Sequence, residues 1–280
     1  LFTWGAGPLG LGADKLSMSR PFMCVTLRDT PIRTVAVGLS HMVAVTRDGE
    51  VFTWGGGDRG QLGLGPKEQG TGTPVLVEGV GPKHKSVIVG CAVGPEHTLL
   101  NAADGTVFAF GAAANGRLGL PTTTDQFIPT KVEALAGHAI GQVACGERFS
   151  VAVTQTGSAA YWWGEVFPGA TKVVPERVAR FTIRTIVQVA ASGSTGMFLV
   201  GTIGATEDDT DTSTYSWGSQ PLVLGHGDDE PKPAPTLMEG LEGHGVKQIA
   251  VGNNHAGALT ADGRILMWGS DSSGQLGSSY

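Results

Sequence analysis

Charge and aromatic side chains are both scarce in this 280-residue chain, at 16% and 7% of residues. No apolar run approaches the roughly 20 residues of a membrane-spanning helix, so no helical span is expected. A net charge of −6, with the densest basic cluster no longer than Lys83-His84-Lys85, argues against a surface for phosphate backbones. Cysteine is limited to Cys24, Cys91 and Cys145, an odd and sparse set that excludes a disulfide framework. Buried, reduced thiols are expected instead, with Cys91 and Cys145 on strands of equal parity. Motifs of chemistry are missing too: there is no nucleophile elbow, no phosphate loop and no His-Glu-x-x-His. Gly10-Leu-Gly12 and Gly55-Gly-Gly57 precede no helix that could receive a phosphate, and read as turns. The expectation is therefore a non-catalytic chain with no cofactor, no metal, no small-molecule substrate and no nucleic-acid or membrane partner. The chain also opens on Leu-Phe-Thr-Trp, in the middle of a strand and without an initiator Met, which predicts a portion of a longer protein.

Glycine is abundant, at 44 residues, and it falls in a pattern. An aromatic-Gly pair returns at Trp4, Trp54, Phe110, Trp163, Trp217 and Trp268, at intervals of 50, 56, 53, 54 and 51 residues. A Leu-Gly pair follows most copies: Leu9-Gly10, Leu62-Gly63, Leu118-Gly119, the shifted Leu224-Gly225, and Leu276-Gly277. Between copies stands Gly-x-x-His, ending at His41, His97 and His255, and then an Asp-Gly turn at 48–49, 104–105 or 262–263 between two apolar runs. Asp-Gly flanked in this way marks a tight β-hairpin, because both residues accept a positive φ. A further β-branched run precedes each arm glycine, so each unit reads as three or four short strands. Self-similarity at a long fixed period means an array of equal supersecondary units, all β, with boundaries near 1–50, 51–106, 107–159, 160–213, 214–264 and a partial unit at 265–280.

The words of the repeat choose among the propeller classes. Aromatic-Gly, then Gly60-Gln61-Leu62-Gly63, Gly116-Arg117-Leu118-Gly119 or Gly274-Gln275-Leu276-Gly277, then Gly-x-x-His and Asp-Gly, together resemble the regulator of chromosome condensation repeat. The resemblance covers nearly the whole chain and implies a β-propeller, in a family of usually seven blades. Some five repeats are present here, which predicts a truncated or partial ring. It also implies that Trp54, Gly55, Leu62, Gly63, Phe110, Leu118, Trp163, Trp217, Trp268 and Leu276 are packing residues, the aromatics filling the space between blades. The histidines His41, His97 and His255 are expected too far apart to share a metal, each with a ring nitrogen on a backbone carbonyl of its glycine turn.

Two units depart from the pattern. In one, Phe149 replaces the histidine and Trp163-Gly164 is followed by Glu165-Val-Phe167-Pro-Gly-Ala instead of a Leu-Gly corner. In the next, Gly196 takes the histidine place and the hairpin turn swells into an acidic, Thr-rich insert at 201–214, with Glu207, Asp208, Asp209 and Asp211. Glu165, Phe167 and those four acids are the candidate partner-binding residues, and a second acidic run, Asp228-Asp229-Glu230, either solvates a loop or meets a basic partner. The expected function is a platform that docks other proteins within a larger assembly. The founding member of the family implies an alternative, guanine-nucleotide exchange on a Ran-like small GTPase, although the sequence shows neither its β-hairpin wedge nor its basic tail. A reducing compartment is expected, with cytoplasm, nucleus and mitochondrial matrix all compatible.

Overall fold

The computed structural model describes residues 1–12, 15, 17–178, 184–201 and 211–277. Its strands form six consecutive antiparallel sheets in which neighbours in sequence are neighbours in space. A leading two-stranded sheet pairs β1 (Phe2–Ala6) with β2 (Ser17–Met23). Blade I follows with β3 (Ile32–Val37), β4 (His41–Thr46), β5 (Val51–Gly56) and β6 (Gly70–Leu76). Blade II has β7 (Ile88–Val93), β8 (His97–Ala102), β9 (Val107–Gly111) and β10 (Gln126–Lys131). Blade III has β11 (Ile140–Cys145), β12 (Phe149–Thr154), β13 (Ala160–Phe167) and β14 (Ala170–Arg177). Blade IV has β15 (Thr185–Ser192), β16 (Thr195–Gly201), β17 (Thr212–Gly218) and β18 (Lys232–Leu237), with one short helix, α1 (Pro221–Leu224), before its last strand. A trailing three-stranded sheet closes the series with β19 (Val246–Val251), β20 (His255–Thr260) and β21 (Ile265–Gly269). This is an all-β propeller with about five blades' worth of strands. The sheets are offset from the sequence repeat: an aromatic-to-aromatic unit takes the outermost strand of one blade and the first three strands of the next.

Each blade is amphipathic on neither face; both sides are apolar, and the core lies between blades. Phe110 sits in the cluster joining blades I and II, Trp163 in that joining II and III, and Trp217 in that joining III and IV. The second repeat word covers the first one across the gap. A methyl group built on Gly63 would come within 2.9 Å of the Phe110 ring, one on Gly119 within 2.8 Å of Trp163, and one on Gly10 within 2.9 Å of Trp54. The Leu-Gly corners at Gly10, Gly63, Gly119 and Gly225 are thus lids on the aromatic of the following sheet, and the glycine is required because the ring leaves no space for a Cβ. Leu62 and Leu118 are buried beneath those corners. The corresponding pairs at the chain ends are open: Trp4 remains 60% exposed, and among the described residues no atom lies within 4 Å of a methyl group built on Gly277.

A third recurrent feature was not read from the sequence. In each sheet that has an outer strand, three of its residues stand opposite the single aromatic, and the third of the three is proline: Pro21, Pro74, Pro129, Pro175 and Pro235. Proline has no N–H to lose at a bulge, and an edge so bent and so short of donors resists pairing with another edge.

A candidate interaction face

Strand direction sorts the loops onto two faces. One carries the Gly-x-x-His turns and the Leu-Gly corners; the other carries the Asp-Gly turns and the connections between blades. The histidines begin the second strand of their sheets, on the first face, but their rings are internal. His41 Nε2 lies 2.9 Å from Thr98 Oγ1, and His97 Nε2 lies 3.0 Å from Ser150 Oγ, each partner being on the following blade. Those hydroxyls already donate, Thr98 to the Gln61 carbonyl and Ser150 to the Arg117 carbonyl, both at 2.8 Å, so each imidazole donates its Nε2 proton to the hydroxyl oxygen. The rings therefore bond the next blade instead of their own glycine turn, which corrects the expected carbonyl contact. Burial holds them neutral, lowering His41 to about 4 and His97 to about 3. His255, on the trailing sheet, is only half-buried. Burial likewise pushes the Cys91 thiol up to about 12 and raises Cys24 and Cys145. Among the described residues no group of three or more His, Cys, Asp or Glu could hold a metal ion.

The two divergent units resolve differently from their sequence reading. Register pairs His41, His97, Phe149 and His255 with the glycine after the aromatic, and in blade IV it is Thr195, not Gly196, that pairs with Gly218. Gly196 instead pairs with Trp217, whose ring lies where a side chain on Gly196 would be. The reason is a one-residue shift of the turn: the tight Ser192–Thr195 pair displaces the arm glycine to Gly193. Phe149 packs edge-on to Trp217 with ring centroids 6.5 Å apart, a space-filling role in the histidine position.

In blade III the missing corner is replaced by a hairpin. Elsewhere 13 or 14 residues join the third and fourth strands of a blade; here only Pro168 and Gly169 separate β13 from β14, and both strands reach eight residues. A Pro-Gly pair between Val166-Phe167 and Val173-Val174 is the signal that announced it, since Gly169 takes the left-handed φ of 80° that such a turn needs. Val166 is buried against Trp217 in place of the corner leucine. Glu165 and Phe167 therefore sit on a projecting hairpin of the first face. Asp211 borders the insert on the opposite face, where it lies 3.7 Å from Arg184, and Glu207, Asp208 and Asp209 lie outside the described residues. Asp211 and the hairpin lie on opposite faces, because the second-to-third-strand loop and the third-to-fourth-strand loop leave a blade at opposite ends.

A polar chain fastens the hairpin base across three blades. Arg117 reaches Glu96 at 3.3 Å and Asn115 at 3.3 Å; Asn115 Nδ2 donates to Glu165 at 3.1 Å. Arg148 bridges Glu165 at 3.2 Å and Glu147 at 3.4 Å, and the Glu147 N–H donates to the Gly193 carbonyl of blade IV at 2.6 Å. Glu165 is thus largely buried by its partners while Arg148 remains half exposed. Beside it opens a cleft of about 260 Å³ between the hairpin and blade IV, lined by Arg148, Glu165, Phe167, Pro168, Ser194 and Ser219. Leu39, 85% exposed, and Leu222, 69% exposed, add apolar area to the same face. Arg148, Val166, Ser194 and Ser219 were not singled out by sequence.

Comparison with known proteins fits this architecture. The family model of the RCC1-like domain matches residues 1–279, and the chain belongs to that family. It is 34% identical to the ultraviolet-B receptor UVR8 of Arabidopsis thaliana over 98% of this chain and 62% of the receptor. It is 30% identical to mitochondrial RUG3 of the same plant over 100% of this chain and 67% of that protein, and 30% identical to the human ubiquitin ligase HERC2 over 97% of this chain but 6% of the ligase. The chain therefore spans less than two thirds of the receptor and a small part of the ligase. In fold it matches human WBSCR16 with a TM-score of 0.81 at 24% identity over 99% of this chain and 72% of that one, and yeast RCC1 (Prp20), solved with Kap60 bound, with a TM-score of 0.62 at 22% identity over 96% and 78%.

Proposed function

We propose that this chain is a protein-docking platform, with the face that carries the blade III hairpin as its contact surface. The observation that carries the reading is the replacement of an internal packing corner by a fastened, projecting hairpin beside an unfilled cleft. Internal packing does not require this exchange, since three other blades keep the corner. The platform reading also suits a family in which the same propeller appears inside proteins as different as a photoreceptor and a ubiquitin ligase. A second reading has one specific observation in its favour: a hairpin is the kind of wedge that the founding family member uses, and a structural relative was solved for its binding to Gsp1p and histones. Exchange on a small GTPase would need such a wedge to brace the nucleotide-free state, with no covalent chemistry. Compartment follows the partner; among the described residues no helix is long and apolar enough to cross a membrane.

The two readings separate in one assay pair. Release of a fluorescent guanine nucleotide from a panel of small GTPases should be unchanged by excess chain, whereas acceleration of about a thousandfold, some 4 kcal/mol of barrier, would establish exchange instead. In pull-downs, replacing residues 165–170 by a corner copied from blade I should remove partners that the intact chain captures. Capture that survives the replacement would move the contact surface elsewhere.

A further inference from the structure

The loss of the blade III corner leaves a seat on blade IV that its counterparts show how to fill. Corners contact the next blade in three ways. Their Leu-Gly glycine covers the aromatic, as Gly63 covers Phe110. A glycine N–H reaches the first bulge residue of the outer strand, as Gly12 donates to the Gly72 carbonyl at 3.0 Å and Gly65 to that of Phe127 at 2.8 Å. The residue before or near the leucine touches the glycine after the next aromatic, as Pro8 does at Gly55 and Arg117 at Gly164. Blade I adds charge: Arg59 of its corner pairs at 2.9 Å with Asp125, the residue just ahead of β10.

On blade IV the aromatic is already covered, with Val166 in the buried cluster of Trp217, while the other two contacts have exposed counterparts. The cleft of about 260 Å³ lies beside Ser219, next to the glycine that follows Trp217. The first two bulge residues, Pro233 and Ala234, are exposed. Asp229 and Glu230 are exposed two and one positions short of the place that Asp125 holds on blade II. Trp163 and Trp268 donate their indole N–H groups to corner carbonyls at 2.9 and 2.8 Å, while the buried Trp217 Nε1 has no partner among the described residues. Trp54 Nε1 is likewise unpartnered beneath a filled corner, and both nitrogens are buried, so the indole is not part of the seat.

We propose that this seat binds a turn from a partner protein with the chemistry of the chain's own corners: a glycine-bent loop that carries a leucine and, ahead of the first glycine, an arginine or lysine. Shape comes from the within-chain equivalence and charge from Asp229, Glu230 and Glu147, which give the rim an acidic balance around Arg148. The inference rests on the platform reading and names the chemistry of its partner. A covering turn places its leucyl side chain in the cleft and offers a carbonyl to the Ser194 hydroxyl, which accepts from Ser219 at 2.9 Å and keeps its own proton to donate, whereas the bulged, proline-bearing edge of β18 disfavours pairing with an extended strand.

A cyclised peptide copying Asp58-Arg59-Gly60-Gln61-Leu62-Gly63, titrated into the full isotope-labelled chain, tests this directly. Amide shifts should appear at Ser194, Ser219 and Ala234. Affinity should fall at least tenfold, about 1.4 kcal/mol, with an Arg→Glu peptide or with the D229K/E230K protein. Ser219→Trp, which fills the cleft from blade IV and leaves the hairpin sequence unchanged, should abolish the shifts, and so should grafting the blade I corner onto blade III. No shifts, shifts confined to other blades, or shifts that persist in both filled variants would overturn the proposal. A chain that still captures partners through its hairpin but ignores the peptide would lose this inference and keep the platform.

Discussion

Glycine and histidine carry the most exact demands in this molecule. Each glycine after an aromatic holds a left-handed φ, 110° at Gly55 and 109° at Gly111, and a Cβ there would run into the carbonyl of the residue before the histidine. Both penalties act together, so Gly111→Ala should cost about 2–4 kcal/mol in chemical denaturation. A loss under about 0.5 kcal/mol would mean that the strand end relaxes freely. The histidines make stability depend on pH with a definite sign. Their folded values lie below the ordinary 6.5, so the unfolded chain binds more protons between 6.5 and about 3 to 4, and stability is complete above 6.5 and falls as pH drops through that window. The variant H41F/H97F, which copies the phenylalanine that blade III already uses, should flatten the decline between pH 6.5 and 4. An unchanged slope would show that other groups carry it.

At the scale of the element, blades are stitched together near the axis by amides. Gln142 of blade III receives the Val189 N–H at 3.1 Å and donates to the Val187 carbonyl at 2.7 Å on blade IV; Gln188 makes the same pair of bonds to Ile249 of the trailing sheet. Where blade II has Gly90 in that position, Asn101 reaches over it from the neighbouring strand to the Gly141 carbonyl at 3.0 Å. Gln142→Ala should cost about 1–3 kcal/mol, because two backbone groups lose their partner. The outer prolines act differently: Pro129→Thr should change unfolding free energy by less than about 1 kcal/mol, while light scattering after partial heating shows faster aggregation as the edge regains a donor. Strands and hairpins were legible because Asp-Gly turns and aromatic-Gly words recur in register. The amide stitches and the proline were not, because each depends on a neighbouring blade that periodicity within one strand does not display. The hairpin at Pro168-Gly169 lay in plain sight but was overshadowed by the corner it replaced.

Across the whole molecule, stability is a sum over interfaces between sheets, so equal residues are worth different amounts. Trp163→Ala should cost about 3–5 kcal/mol, while Trp4→Ala, on an open face, should cost under about 1 kcal/mol. Similar losses at both would contradict an array stabilised by neighbour contacts. The proposed contact surface follows the same division. Three blades spend their third-to-fourth-strand loop on covering the next aromatic, and blade III turns it outward into a hairpin held by Arg117, Asn115, Glu165 and Arg148. The face built around that hairpin is the centre of the account. Its most direct test is photo-cross-linking in cell extract with a photoreactive amino acid at position 167, at 174 on the outer edge of the same blade, or at 104 on the opposite face. Specific partner adducts from 167, with none from 104, are predicted; adducts from 104 with none from 167 would contradict the proposal.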